Sequence, residues 1–364
     1  MPVTEPALRS ALEAYFDPYL KQTLGEARAV TEVSVAGPRA RLNLELGIPV
    51  RTYEGALREA LAQHLAAAGF AELTLELNLS SRIVAHSVQR QLKPLSGVSN
   101  IVAVASGKGG VGKSTVAANL ALAWAAGGAR VGILDADIYG PSQPLMLGLG
   151  GQRPTSVDGK RIRPLEAYGV KAMSIGFLVD PSQAVVWRGP MVTHALTQLL
   201  GDTEWGTLDY LVVDMPPGTG DIQLTLAQQV PVAGALIVTT PQDIALADAR
   251  KGVAMFEKVS VPVLGVVENM SVHVCTNCGH AEHIFGAGGG ARMAAEFGVE
   301  LLGELPLDIR IREEADGGRP SVIAEPNSPR GQAYTVMALR AAGALARRDR
   351  DRSSVFPKIV VEST

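Results

Sequence analysis

The sequence predicts an α/β protein built on a doubly wound, mostly parallel sheet, with a small α+β domain ahead of it. Three observations carry the prediction. Short, wholly apolar runs recur after residue 98, helix-length segments separate them, and the pattern before residue 89 is alternating rather than continuous. A strand covered by helices on both faces is apolar throughout, whereas a strand with one wet face alternates, so the two rhythms mark two kinds of sheet. At 364 residues two domains are expected, each able to bury a core.

In chain order, Ala7 to Leu24 carries helical apolar spacing and reads as a helix broken at Asp17-Pro18. Ala29 to Leu46 alternates as strand, and Tyr53 to Ala68 reads as a helix stopped by Gly69. Ala71 to Leu79 sets Leu73, Leu75, Leu77 and Leu79 on one face, the period-two pattern of a half-buried strand. These elements form the α+β domain, residues 1–88. A polar stretch with Lys93-Pro94 and Ser96-Gly97 makes 89–97 a linker. Beyond it, Ile101 to Val104, Val131 to Leu134, Leu211 to Val213, Ala235 to Val238 and Val263 to Val267 read as buried parallel strands. Val116 to Ala126 and Asp243 to Val259 read as helices between them, which makes a βαβ series. A closing helix, Pro329 to Arg348, completes the second domain (98–350), and 351–364 is a short tail.

Composition narrows the function classes. The net charge is −3 with 19% charged residues, so no basic excess exists to grip nucleic acid or an anionic membrane. No basic segment followed by an apolar run opens the chain, and its apolar stretches fall short of a membrane span. A cytoplasmic protein is expected. The only cysteines, Cys275 and Cys278, lie in one CxxC, which suits a reducing compartment and a site role for the thiols.

Gly107-Lys108-Gly109-Gly110-Val111-Gly112-Lys113-Ser114 satisfies G-x-x-x-x-G-K-S/T directly after a predicted strand and before a predicted helix, the context of a P-loop. Its glycines let backbone N–H groups wrap phosphates. Lys113 is expected to reach β- and γ-phosphate oxygens, and Ser114 to offer its hydroxyl to Mg²⁺. Asp214 ends the run Tyr210 to Val213, as a Walker B carboxylate does, and is expected to hold Mg²⁺ directly or through water. Asp135 and Asp137 follow another strand, where one of the pair could orient an attacking water or both could serve only turn chemistry. Asp214 to Asp221, rich in proline and glycine, suits a segment that answers to the γ-phosphate.

Lys108 in the run ending at Ser114-Thr115, the Asp135/Asp137 pair and Asp214-Met215-Pro216-Pro217-Gly218-Thr219 resemble the deviant Walker A ATPases. Within that group, Asp137-Ile138-Tyr139-Gly140-Pro141-Ser142, Trp187-Arg188-Gly189-Pro190-Met191 and the late CxxC are similar to the Mrp/ApbC iron-sulfur carriers over about residues 98 to 345. The resemblance implies a homodimer with ATP at its interface. It implies that Lys108 reaches the partner's phosphates, that Asp137 helps activate water, and that Asn269 contacts adenine.

Two thiols on one loop are too few for tetrahedral ligation, so a second chain would complete the set. The resemblance implies a labile 4Fe-4S cluster held at the dimer axis by Cys275 and Cys278 of both chains and passed to recipient apoproteins, with cluster scaffolds as further partners. Rival readings are zinc held with His280 and His283, a redox dithiol, and no ligand; His273 reads as a solvated loop residue. The first domain is similar to the small domain often fused to this ATPase, but Leu46-Gly47-Ile48-Pro49 lacks the cysteine usual before its proline, which favours docking or regulation over thiol chemistry. The competing class is a spatial-organisation ATPase like MinD or ParA that carries no cluster, against which stand the absent basic helix and basic surface. A reductase like the nitrogenase iron protein ranks third, since it uses separated cysteines.

Overall fold

A computed structural model describes residues 4–89, 92–156, 159–178 and 189–350. Trp187 and Arg188 of the predicted carrier motif and the tail 351–364 lie outside the described residues.

The central sheet takes β4 (Val98–Ala105), β5 (Val131–Asp135), β6 (Leu165–Ala167), β7 (Val170–Ser174), β8 (Leu208–Asp214), β9 (Gly234–Thr239), β10 (Val263–Glu268) and β11 (Glu300–Glu304), counted after three strands of the first region. Their spatial order is β6-β7-β5-β8-β4-β9-β10-β11. All pairings are parallel except the edge pair β6 and β7. Every residue of β5, β8 and β9 is buried, which explains why these strands are apolar runs without alternation. β4 lies between β8 and β9, so the loop after it opens where the strand order reverses, the place where such sheets hold ligands. The edge strands β6 and β11 and the adjoining β7 are not among the five strands expected, because short or mixed runs carry too little periodicity to stand out.

Helix α3 (Lys113–Ala126) follows the glycine loop and is buried along its length from Val116 to Trp124. It has no polar face because the sheet covers one side and the closing helix α9 (Pro329–Ala346) the other. Trp124 stacks on Tyr210 at 4.2 Å and donates its indole N–H to Ala338 O at 2.8 Å, tying the three layers together.

The first region holds α1 (Glu5–Glu13), β1 (Val30–Ala36), β2 (Arg39–Leu46), α2 (Glu54–Leu65) and β3 (Thr74–Ser81). β1 and β2 form a hairpin turned at Gly37, whose φ of 61° favours glycine, and β3 pairs parallel to β2 after the α2 crossover. The expected helix from Ala7 to Leu24 is corrected: α1 ends at Glu13, and Phe16–Asp17 pairs with Gln22–Thr23. Asp17 causes the change, because its wholly buried carboxylate accepts from the N–H groups of Tyr19 (2.9 Å) and Leu20 (2.8 Å) and from the Tyr53 hydroxyl (3.0 Å). The turn thereby takes the backbone donors that a continuing helix would have needed.

This region rests on the ATPase-like layer. A Cβ on Gly343 of α9 would lie 2.0 Å from Tyr19 O, so only glycine admits the approach, and Arg347 donates to Leu20 O at 2.9 Å. One buried apolar cluster runs from Leu8 through the central sheet to Leu345. At the seam His86 is 3% exposed, and its Nδ1 donates to Asn100 Oδ1 at 2.9 Å, because the Asn100 amide nitrogen is already committed to Val84 O and Asp209 O.

Burial is the largest cause holding the His86 pKa below its ordinary 6.5; Asn100 and the Ala346 carbonyl oppose it, and Arg350 and Arg348 reinforce it. The folded chain therefore resists a proton that the unfolded chain accepts. Stability linked to His86 is present above pH 6.5 and is lost as pH falls through 6.5 toward the lowered value. Urea midpoints taken between pH 7.5 and about 5 are expected to fall with pH in the wild type and to fall less in His86→Gln.

Candidate functional site

The loop from Gly107 to Gly112 connects β4 to α3. Gly110 and Gly112 sit at φ of 80° and 81°, the left-handed region, and Gly112 faces Asn269 so closely that a Cβ would lie 2.2 Å from Asn269 Nδ2. A Cβ on Gly107 would lie 2.1 Å from the backbone of Asp248, in helix α6 (Asp243–Lys258). The glycines are thus required by conformation and by contact. Asn269 Nδ2 donates to Val111 O at 2.9 Å, and its own N–H to Thr239 O at 2.8 Å, fixing the loop to the ends of β9 and β10. Ser106 Oγ donates to Lys108 O at 2.9 Å, and Lys108 itself is part-exposed.

Lys113 Nζ reaches the Asp214 carboxylate and lies 3.2 Å from Ser114 Oγ. The ammonium-bearing side chain is 6% exposed and the Asp214 side chain 0%. Asp135 is the register partner of Asp214 on the neighbouring parallel strand, so two buried carboxylates end side by side. Burial first and the Asp214 charge second push the Asp135 pKa up to about 7, against the lowering by its hydrogen bonds and by Lys113. Asp135 accepts from Ser174 Oγ (3.1 Å), Gln143 N (3.1 Å) and Asp137 N (3.2 Å), which makes it a wholly buried anchor for the following loop. Asp137 is half-buried, accepts from Gly140 N at 3.3 Å, and has its pKa raised mainly by burial.

Thr115 and Gly112 border a cavity of about 280 Å³, walled also by Asn269, Met270, Leu307 and Ile311. The sequence reading missed Gln143, whose side chain touches both Ser114 O and Asp214. Its partners lie 29 and 71 residues away, so no local pattern signals it.

The thiols stand on a separate hairpin, where His273–Val274 pairs with Ala281–Glu282. Cys275 N donates to His280 O (2.9 Å) and Gly279 N to Cys275 O (2.8 Å), closing a tight knuckle with Gly279 at φ 73°. Cys275 is part-exposed and Cys278 exposed. The backbone N–H groups of Cys278 and Asn277, followed by the Cys278 side chain, hold the Cys275 thiol below its ordinary pKa. His273 Nδ1 donates to Leu307 O at 3.0 Å and His283 Nδ1 to Ser271 O at 2.6 Å, so His273 is more than a solvated loop residue. Among the described residues no group of three or more His, Cys, Asp or Glu is gathered for a metal ion, and no helix is long and apolar enough to cross a membrane.

A glycine loop between buried strand and helix, with its lysine set against a strand-end carboxylate, defines a P-loop NTPase. Residues 97–341 match the family described as ParA: NUBPL iron-transfer P-loop NTPase, and the chain belongs to that family. An iron-sulfur cluster carrier protein of Pseudomonas fragi is 62% identical over 272 residues, 74% of this chain and 94% of that one. The protein of the same name from Escherichia coli K12 is 52% identical over 331 residues, 90% and 89% of the two chains. Mouse iron-sulfur cluster transfer protein NUBPL is 52% identical over 260 residues, 71% and 81%. Among solved structures, a nucleotide-binding protein from Archaeoglobus fulgidus in complex with ADP superposes with a TM-score of 0.57 at 39% identity, covering 65% of this chain and 91% of that one. The cell division ATPase MinD of Pyrococcus furiosus shares the fold, with a TM-score of 0.51 at 24% identity over 66% and 97%.

Gly112→Ala is expected to weaken ATP binding at least tenfold and to cost about 1–3 kcal/mol of stability through backbone strain. Adding Asn269→Ala removes the side-chain clash but not the strain, so the double variant is expected to recover stability only in part, as read by thermal unfolding with and without nucleotide.

Proposed function

We propose that this chain is an ATP-binding and ATP-hydrolysing iron-sulfur carrier. In this reading it acts as a cytoplasmic homodimer that holds a labile 4Fe-4S cluster between two CxxC knuckles and delivers it to apoproteins. One observation carries the reading: a single chain joins a P-loop to an exposed thiol pair whose Cys275 favours the thiolate that iron requires. Two thiols are half a cluster's ligand set, and Val274 and Ile284, both about half exposed, flank them in the chain as surface for a second copy. The names of the relatives support the same cargo. Residues 1–88 would act as a docking or regulatory domain, joined through 89–97 to an ATPase domain of 98–350.

The nucleotide chemistry follows from the loop. Backbone N–H groups of Gly107 to Thr115 cradle the phosphates, Lys113 passes from Asp214 to the β- and γ-oxygens, and Lys108 serves the partner's nucleotide. Ser114 and Asp214 would hold Mg²⁺, which neutralises phosphate charge. Asp137 positions the water that attacks the γ-phosphate. Its raised pKa is no obstacle, because positioning needs an acceptor and not a strong base. Asn269 borders the cavity beside Gly112 that would take the nucleoside.

Anaerobic reconstitution with iron and sulfide tests the cargo. Wild type is expected to take up about four irons and four sulfides per dimer, and Cys275→Ala/Cys278→Ala none. Zinc or nothing in wild type at matched dimer content would return the chain to an organising ATPase of the MinD/ParA type. For hydrolysis, Asp137→Ala is expected to lower kcat about 100-fold with the ATP dissociation constant nearly unchanged, measured by phosphate release and equilibrium binding.

A further inference from the structure

Gln143 is buried within the candidate nucleotide site, yet no motif assigns it a role. It opens the short helix Gln143–Met146 and is 1% exposed. Its backbone N–H goes to Asp135 Oδ2 at 3.1 Å. Its amide nitrogen donates to Asp214 Oδ2 at 2.9 Å and to Ser114 O at 3.0 Å, which uses both amide protons and fixes the amide's orientation. Its Oε1 is buried and has no donor among the described residues. One residue therefore spans both buried carboxylates and the first turn of α3.

We infer that Gln143 is a positioning residue for the Mg²⁺ carboxylate. The inference rests on the reading of Gly107 to Thr115 as an ATP site. Asp214 has two side-chain donors, Lys113 on Oδ1 and Gln143 on Oδ2. Phosphate oxygens compete for the Lys113 ammonium, and a buried carboxylate that loses its cation needs another partner, the place Mg²⁺ would take. Gln143 keeps Oδ2 partnered through that exchange, because its neutral N–H donor holds the carboxylate in place without cancelling the charge that attracts Mg²⁺. It also turns Oδ1 toward the lysine side of the site. Ser114 O is the second acceptor on the same nitrogen, so the carboxylate is set relative to the residue whose hydroxyl is the other expected Mg²⁺ ligand. A residue of only structural importance would weaken ATP binding with and without metal alike; a positioning residue separates the two.

The experiment measures binding of a fluorescent ATP analogue to the full-length protein, once in EDTA and once while Mg²⁺ is titrated. Gln143→Met keeps the length of the side chain and removes the donors; Gln143→Asn keeps the amide but falls one methylene short. Both are expected to raise the half-saturating Mg²⁺ concentration roughly tenfold, the low end for a hydrogen bond to a charged group, with less than a twofold change in EDTA. Unchanged Mg²⁺ dependence in a folded variant overturns the inference, as does an equal loss of affinity in both conditions. Failure of wild type to bind the analogue, or to respond to Mg²⁺, overturns instead the ATP-site reading beneath it. If Gln143→Met shows no cooperative unfolding, Gln143→Asn carries the comparison alone.

Discussion

Two carboxylates that end adjacent parallel strands, Asp135 and Asp214, both out of reach of water, impose the constraint on which the nucleotide site depends. Like charges so placed repel, and burial penalises each of them, so the fold must bring donors to them from elsewhere in the chain. It brings one cation, Lys113, and a set of neutral donors from Gln143, Ser174 and the backbone of Asp137. They come from three different segments. The glycine loop must deliver Lys113, the segment after β5 must fold back to deliver Gln143, and β7 must pair beside β5 to deliver Ser174. The loop conformations around the site are thus tied to one another through two charges.

The same coupling gives the site a response. Lys113 is the cation of Asp214, and it is also the residue that P-loop chemistry gives to phosphate. Phosphate binding therefore alters the balance at Asp214, and Gln143 links Asp214 to Asp135 and to the loop carrying Asp137. Gly218 N donates to Ser106 O at 2.9 Å, so the segment after Asp214 is tied to the start of the glycine loop as well. Lys113, Asp214 and the loops on either side of them are joined by direct hydrogen bonds, which is the local requirement for any switch that acts at a distance.

Around this centre the chain is built for rigidity. α3 lies between sheet and α9 with no wet face, and the first region presses against α9 so closely that Gly343 admits no side chain. The thiol hairpin is different. Its strands are two residues each, Cys278 is exposed, and among the described residues two histidine nitrogens and a few backbone groups bind the knuckle to the rest. The cluster transfer proposed for these thiols would need such access, while the proposed phosphate site needs the opposite.

The parallel sheet, the βαβ rhythm and the glycine loop were legible because each is a local pattern: continuous apolar runs where both strand faces are covered, and glycines where backbone must approach backbone. The helix expected from Ala7 to Leu24 with a break at Asp17-Pro18 failed beyond Glu13 because apolar spacing does not report what a side chain such as Asp17 will bond once buried. Asp135 shows the same limit. Its residue type and strand-end position marked it for the site, but its burial beneath three donors depends on Gln143 and Ser174, which no spacing connects to it. The sequence by itself determined the strand order's raw material, the phosphate loop and the thiol pair, since these arise from residues close in the chain. Tertiary structure alone decided which carboxylate faces Lys113, which anchors the loop, and that Gln143 bridges them, because burial and long-range pairing set the charge balance that makes those roles differ.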